Sequence, residues 1–233
     1  MSINGQNKVT AVLAHAAWAD GSNWNKVTTE LQKRGFEVVA AQIPLTSFGE
    51  DVAALRRVLR RHNGPVVLVG HSYGGAVVTA AGTGDQNVKA LVYIAAIVPD
   101  EGETVGDIFG RVPPHPTAPK LQPDQDGFFW LKVDDFRNAV APDASAEETA
   151  VMAAAQKPIA AKCLVEPMTQ PAWKEKPSWF LIANNDIMVS PETQRFTAQR
   201  MKSTVVSLPV DHNPLRSQPK AVADLISDAA GCI

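Results

Sequence analysis

Residues 70–75, Gly-His-Ser-Tyr-Gly-Gly, contain the pattern Gly-x-Ser-x-Gly around Ser72. A serine in this pattern occupies a tight turn between a strand and a helix, and the residues two positions away on each side must be small to prevent a clash. Gly70 and Gly74 meet that requirement, and the apolar residues 65–69 come directly before the motif. The context predicts a nucleophilic Ser72 whose Oγ projects at the carboxyl end of a strand, where open α/β sheets bind ligands.

The base that a serine nucleophile needs is predicted to be His212. A serine hydroxyl is a weak nucleophile at neutral pH, and with this type of turn its partners follow in the order serine, acid, histidine. His212 follows the last predicted strand, on the same rim of the sheet as Ser72. His71 points away from the oxyanion side in such a turn, so we interpret it as structural. His62 ends a surface helix, and His115 lies in a proline-rich loop.

The acid that would orient the base is predicted to be Asp186, which follows the penultimate strand at residues 179–183. A carboxylate at that position accepts a hydrogen bond from one ring nitrogen of His212, which selects the tautomer and stabilises the imidazolium. Two alternatives stay open at this point. Asp100 follows the fourth predicted strand, and Asp211 is the chain neighbour of the histidine.

An oxyanion hole for this serine requires two backbone N–H groups. The turn directs the N–H of Tyr73 toward the site, and the loop after the first strand, residues 15–21, supplies the second donor, for which we choose Ala17. Trp18 in the same loop is predicted to form a wall of the substrate pocket. We also place His15 among the substrate-binding residues.

Short apolar runs rich in β-branched residues alternate with amphipathic segments along most of the chain. The predicted strands are residues 9–14, 36–41, 65–69, a segment within 88–98, 179–183 and 204–208. This alternation predicts an α/β protein with about six strands in a mostly parallel sheet and helices on both faces.

Local signals mark several helix starts in the sequence. Ser22 is predicted to cap a helix that buries Trp24, and Ser47 forms a capping box with Glu50. Ser145 with a glutamate three residues later forms another capping box, which opens an Ala-rich helix.

Residues 100–174 interrupt the alternation, because they contain most of the prolines and no clear strand. We predict that residues 1–99 and 175–233 form the core and that residues 100–174, the cap segment, are an insertion packed over it. Phe128, Phe129 and Trp130 in this segment either line an apolar substrate site or form the internal core of the cap.

Composition excludes several classes of function. The chain has 233 residues, a net charge of −2 and no basic stripe, so nucleic acid is not an expected partner. The two cysteines and five histidines show no metal-ligand spacing, and the loop after the first strand lacks the glycines of a dinucleotide site. We therefore expect no metal and no cofactor. Residues 1–8 lack a signal-peptide pattern and no apolar run is long enough to span a membrane, which predicts a cytoplasmic protein without a membrane partner. A homodimer is left open.

The motifs taken together resemble those of the small α/β-hydrolases that include bacterial esterases, plant methylesterases and hydroxynitrile lyases. The similarity rests on residues 15–18 (His-Ala-Ala-Trp), residues 70–75, Asp186 and His212, extends over nearly the whole chain, and is weakest between residues 105 and 170. It implies an α/β-hydrolase fold with a helical cap and a buried pocket between cap and core. The family usually has His-Gly where this chain has histidine and Ala16, and a positive φ there would give alanine a steric cost.

The resemblance implies an acyl-enzyme mechanism, with Ser72, Asp186 and His212 in the family's triad positions and Ala17 and Tyr73 as oxyanion donors. The sequence thus predicts a serine hydrolase that cleaves a small, neutral, largely apolar carboxylic ester. Alternatives are a lactonase, a lyase that cleaves a C–C bond with the same three residues, as hydroxynitrile lyases do, and a slow or non-catalytic ligand receptor on a hydrolase scaffold.

Overall fold

The computed structural model describes residues 8–233, and the predicted absence of a signal peptide concerns residues that lie almost entirely outside that range. The strands are β1 (Thr10–Ala14), β2 (Glu37–Ala41), β3 (Val66–His71), β4 (Val88–Ile94), β5 (Phe128–Phe129), β6 (Ile159–Ala160), β7 (Ser178–Ala183) and β8 (Thr204–Leu208). The α-helices are α1 (Asn25–Lys33), α2 (Phe48–Leu59), α3 (Tyr73–Ala81), α4 (Val105–Phe109), α5 (Val133–Asp135), α6 (Ala146–Ala155), α7 (Lys162–Val165), α8 (Pro191–Arg200), α9 (Pro214–Ser217) and α10 (Pro219–Gly231). Among these helices of residues 8–233, none is long and apolar enough to cross a membrane.

The main sheet has six strands in the order β2-β1-β3-β4-β7-β8, and every neighbouring pair is parallel. The prediction of a six-stranded parallel sheet is therefore confirmed. Because the strands are parallel, the loops after β1, β3, β7 and β8 all leave the same edge of the sheet. Each of the loops proposed to carry chemistry is one of these four.

Helices cover both faces of the sheet, and alternate residues of each strand point to opposite sides. In β3, Leu68 belongs to the core formed with α2 and α3. Its neighbours Val67 and Val69 belong to the core formed with α1 and α10. Burial on both faces explains why the sequence of β3 is continuously apolar rather than alternating.

The cap segment contains α4 to α7 and also a small antiparallel sheet of β5 and β6, although the sequence predicted no strand there. Two-residue strands have no detectable periodicity, and their pairing joins residues about thirty positions apart in the chain. The N–H of Ala160 donates to the carbonyl of Leu45 at 2.9 Å and ties this sheet to the core. A separate small cluster of Leu131, Phe136 and Ala153 fills the cap itself.

Two predicted helix caps differ from the structure. A 3₁₀ turn at Gly21–Trp24 precedes α1, and its cap is Asp20, whose carboxylate accepts the N–H of Ser22 at 2.7 Å. At α2, Ser47 accepts the N–H of Glu50 as predicted, but the Glu50 carboxylate binds the hydroxyl of Thr46 instead of closing the box. Neighbouring polar side chains and main-chain N–H groups offer alternative hydrogen-bond partners, and the sequence does not show which pairing forms.

Candidate active site

Ser72 lies between the end of β3 and the start of α3 with a φ of +52°, in the left-handed region. Glycine is required on both sides because the strand and the helix are in contact there. A Cβ at Gly70 would lie 2.5 Å from the carbonyl oxygen of Gly74, and a Cβ at Gly74 would lie 2.6 Å from that of Ala14. The strained serine that the motif predicted is therefore present, and its surroundings tolerate no larger neighbours.

A chain of hydrogen bonds joins the three residues that were selected from their order in the sequence. The hydroxyl of Ser72 is 3.0 Å from Nε2 of His212, and Nδ1 of the same ring is 2.7 Å from a carboxylate oxygen of Asp186. A carboxylate only accepts, so Nδ1 carries the proton and Nε2 can accept the proton of the serine. All three residues are buried. Their loops follow β3, β8 and β7, as expected for one edge of a parallel sheet.

The carboxylate of Asp186 accepts three further hydrogen bonds, which hold it in place. The N–H groups of Met188 and Val189 donate to Oδ1 at 2.8 and 2.9 Å, and the amide of Gln194 donates to Oδ2 at 2.8 Å. Gln194 is fully buried; it also donates to the carbonyl of Val189 and accepts the N–H of Ala183. The sequence reasoning missed this residue. Helical spacing in the sequence could have placed Gln194 on the inner side of α8, but it could not have shown that the amide contacts Asp186.

The two alternative acids make other contacts. Asp100 forms an ion pair with Lys174 at 2.7 Å. Asp211 is buried; one of its oxygens accepts the N–H of Asn213, and the other lies 4.0 Å from Arg216. Burial raises the pKa of Asp211. The structure therefore brings Asp186, and neither alternative, to the ring of the histidine.

His71 and His15 both support the main chain beside this site. Burial and the nearby His212 lower the pKa of His71 to about 3, and its Nε2 donates to the carbonyl of His212 at 2.7 Å. Burial lowers the pKa of His15 to about 4; its Nδ1 donates to the carbonyl of Ala16 at 2.8 Å, and its Nε2 accepts the N–H of Ile43 at 2.9 Å. Because both ring nitrogens of His15 are occupied and the residue is fully buried, we correct its assignment from substrate contact to support of this loop.

In the loop after β1, the positive φ occurs at Trp18 and not at Ala16, the position that the family resemblance had put in question. Trp18 has a φ of +57°, whereas Ala16 is not among the residues with a positive φ. Alanine in place of glycine is therefore free of left-handed strain. The indole of Trp18 donates to the carbonyl of Phe129 at 2.9 Å, so the loop is tied to β5 in the cap segment. Tyr73 is the first residue of α3, and its N–H has no partner within that helix.

Two cavities of different size meet at the histidine. The first, which we call the serine-side cavity, has a volume of about 40 Å³ and is lined by Ser72, Tyr73 and apolar side chains that include Leu121 and Phe129. The second, the histidine-side cavity, has a volume of about 450 Å³ and does not include Ser72 in its lining. Ala17, Trp18 and His212 line both.

Of the three aromatic residues of the cap segment that were predicted to contact substrate, only Phe129 lines one of these cavities. Phe129 lines the serine-side cavity, but Phe128 and Trp130 line neither cavity. Phe128 packs against the main core, and Trp130 is half exposed, with its indole N–H bound to Asp124 at 2.9 Å. Consecutive residues of a strand point to opposite sides, so an aromatic run cannot face one pocket as a unit. We therefore correct the assignment of Phe128 and Trp130 as substrate contacts.

Arg216 is a charged residue near His212 that the motif did not explain. It lines the histidine-side cavity, where its guanidinium lies 3.7 Å from the carboxylate of Glu148 on α6. Both this distance and the 4.0 Å to Asp211 exceed hydrogen-bond length. The arginine therefore connects α9 to the cap segment only loosely.

Comparison with known proteins agrees with the fold and the motifs. The sequence model of the "Alpha/beta hydrolase family" matches residues 11–225. The chain is 26% identical to the alpha/beta hydrolase nvfD of Aspergillus novofumigatus, over 96% of this chain and 97% of that one, and 26% identical to a pyrethroid hydrolase of Sphingobium wenxiniae, over 94% and 86%. The crystal structure of a pyrethroid hydrolase from Sphingobium faniae superposes with a TM-score of 0.80 at 22% identity, over 96% of this chain and 98% of that one. With this match, a parallel sheet and a serine on a strained strand-to-helix turn, the chain belongs to the alpha/beta hydrolase family.

Proposed function

We propose that this protein is a serine carboxylesterase that works through an acyl-enzyme, with Ser72 as nucleophile, His212 as general base and acid, and Asp186 as the residue that orients the base. The observation that carries the proposal is the buried hydrogen-bond chain from the Ser72 hydroxyl through both nitrogens of His212 to the Asp186 carboxylate. A glycine-rich turn with an idle serine would not require these three groups to be in contact at the edge of the sheet.

The first half of the proposed reaction acylates the serine. Oγ of Ser72 attacks the ester carbonyl carbon while its proton passes to Nε2 of His212, and the N–H groups of Tyr73 and Ala17 stabilise the negative oxygen. Each such donor is typically worth about 2.7–4 kcal/mol of the barrier. When the intermediate collapses, the C–O bond to the alcohol breaks and the imidazolium returns its proton to the departing oxygen, which leaves the acyl group on Ser72.

The second half returns the free enzyme. A water molecule attacks the acyl carbon while His212 takes one of its protons, and the proton is then given to Oγ of Ser72 as the acid leaves. Asp186 stays ionised and stabilises the imidazolium in both halves. The groups of this chain supply all the proton transfers that ester hydrolysis needs.

A neutral, largely apolar ester is the class of substrate that fits best beside the serine. The serine-side cavity is lined mainly by apolar side chains, and neither lysine nor arginine is among its lining residues within the described part of the chain. An anionic acyl group would lose its hydration there without a compensating charge. The proposal agrees with the names of relatives, since pyrethroid hydrolases and an esterase that acts on carbendazim are among the similar proteins.

The test compares initial rates on short-chain nitrophenyl esters for the wild type, Ser72→Ala and His212→Ala, after each variant is shown to be folded. We expect turnover by the wild type alone, together with a burst of nitrophenol and covalent labelling of Ser72 by a fluorophosphonate. A wild type that is labelled but inert toward esters, and that cleaves a lactone or a cyanohydrin, would instead favour the lactonase or the lyase. Binding of esters without labelling or turnover would overturn the enzymatic proposal in favour of a receptor.

A further inference from the structure

The two cavities that meet at His212 imply a division of the substrate, an inference that rests on the proposed esterase function. We propose that the acyl portion of the ester binds in the serine-side cavity and the alcohol portion in the histidine-side cavity. The preferred substrates are then esters of a short acyl group, of about acetyl to propionyl size, with a bulky and mainly apolar alcohol.

The orientation follows from the atoms that each step requires. The carbonyl carbon must bond to Oγ of Ser72 and the carbonyl oxygen must reach the N–H of Tyr73, and both residues line only the serine-side cavity. The ester oxygen must take a proton from Nε2 of His212, which lines both cavities. The group attached to that oxygen therefore extends past the imidazole, on the side lined by Asn213 and by Leu215 of α9.

The volumes set the size of each portion. One water-sized group needs about 10–15 Å³ of such space. The serine-side volume of about 40 Å³ therefore holds about three such groups, which is the number of non-hydrogen atoms in an acetyl group, and the histidine-side volume of about 450 Å³ holds about thirty or more.

Hydrogen bonds hold segments that form the wall of the small cavity. Val105, Leu121 and Phe129 of the cap segment form part of its lining. The hydrogen bond from the Trp18 indole to the Phe129 carbonyl fastens one side of it to the loop after β1. Ala160 in the other strand of the same small sheet is bonded to the core as well, so both strands of that sheet are fastened beside the cavity.

The lining of the larger cavity favours a mainly apolar alcohol portion and disfavours an anionic one. Phe136, Val140 and Met152 supply apolar surface from the cap segment. The charged residues in the lining are of both signs: Lys26 and Arg216 are basic, and Asp20, Glu147 and Glu148 are acidic. An anionic alcohol portion would meet three carboxylates against two basic groups, so the charge of the lining disfavours an anion.

The test uses a pair of isomeric esters, 2-naphthylmethyl acetate and methyl 2-naphthylacetate. They place the same bulky group on the alcohol side or on the acyl side, and the leaving group of both is an aliphatic alcohol. We expect kcat/KM for the acetate to be larger by about tenfold or more, since a single misplaced methylene already changes this ratio by about that factor. Equal rates, or a preference for the methyl ester, would overturn the inference and leave the esterase function intact. Inactivity toward both isomers and toward nitrophenyl acetate would overturn the esterase function, and the inference with it.

Two variants assign the effect to the cavities. Val151 is exposed on α6 and lines the histidine-side cavity, so Val151→Trp is expected to lower kcat/KM for 2-naphthylmethyl acetate by about tenfold while nitrophenyl acetate is affected less. Ala154→Trp is the matched control, because this exposed residue of α6 lines neither cavity. Leu121→Ala enlarges the serine-side cavity and is expected to raise the rate on methyl 2-naphthylacetate. Unchanged selectivity in both Val151→Trp and Leu121→Ala would contradict the division.

Discussion

Replacement of Asp186 by asparagine should invert the tautomer of His212 and remove the base while the fold remains. All four partners of the Asp186 carboxylate are donors: the main-chain N–H groups of Met188 and Val189, the amide of Gln194 and Nδ1 of His212. Asparagine offers one oxygen and one NH₂ group, so two of these donors must face an NH₂ group whichever way the amide turns.

The number of buried donors that lose their acceptor decides between the two orientations of the asparagine amide. If the oxygen faces His212, the N–H groups of Met188 and Val189 lose their acceptor, at about 1–3 kcal/mol for each buried donor. If the oxygen faces those N–H groups, only Gln194 loses its partner, because the imidazole can move its proton to Nε2 and accept from the new NH₂ group. The second orientation is less costly by about one buried hydrogen bond, but it leaves Nε2 protonated and unable to take the proton of Ser72.

We therefore expect Asp186→Asn to lower kcat on nitrophenyl acetate by about 10⁴-fold, as the equivalent change does in a serine protease, which corresponds to about 5 kcal/mol of barrier. The free energy of unfolding should fall by only about 1–3 kcal/mol. Initial rates and urea unfolding measure the two quantities, and ¹⁵N chemical shifts of the His212 ring report the tautomer directly.

Asp224→Asn is the matched control, because this aspartate pairs with Arg34 on the surface and exposed pairs are worth about 0–1 kcal/mol. A folded Asp186→Asn protein whose kcat stays within about tenfold of the wild type, or whose ring keeps its proton on Nδ1, would refute the tautomer argument.

Three further predictions concern stability around the site. Gly74→Ala should destabilise the protein by about 1–3 kcal/mol and abolish activity, because its Cβ would lie 2.6 Å from a carbonyl oxygen of β1. Tyr73→Phe should lower stability by about 1–3 kcal/mol with a smaller effect on kcat, since it removes the hydroxyl that donates to the buried Asp51 at 2.5 Å and keeps the main-chain N–H. Stability should also fall as the pH is lowered from about 6.5 toward 4, because burial lowers the pKa of His15 to about 4 and of His71 to about 3: the unfolded chain takes up protons in this range that the folded state does not.

Urea unfolding and initial rates check all three. Gly231→Ala is the control for the glycine, because a Cβ there meets nothing within 4 Å, and equal stability of the two variants would contradict the steric argument. Tyr93→Phe is the control for the tyrosine, because its buried hydroxyl pairs with the hydroxyl of Thr79 rather than with a carboxylate; a larger loss there than at Tyr73 would count against the role of Asp51. For the pH dependence, His71→Asn should reduce the difference in stability between pH 7 and pH 5, and an unchanged difference would show that this histidine is not its source.

Local patterns in the sequence determined the parts of this protein that depend on neighbours in the chain. The turn at Ser72 follows from glycines two positions away on each side, and the start of α6 follows from a capping box between Ser145 and Glu148 that the structure contains in full. The strands of the main sheet follow from apolar runs whose positions the structure reproduces closely. Each of these features is settled by side chains within a few residues of one another, so their physical causes are visible in the sequence.

Only the tertiary structure decided what depends on contacts between distant segments. Asp186 rather than Asp100 meets His212 because β7 and β8 are neighbours in the sheet, an order that apolar runs do not encode. The role of Gln194, the internal contacts of His15 and the outward position of Trp130 likewise depend on what each side chain finds after packing. The cavities are the clearest case: their volumes are the space left over when segments far apart in the chain have packed, and no local pattern specifies that remainder.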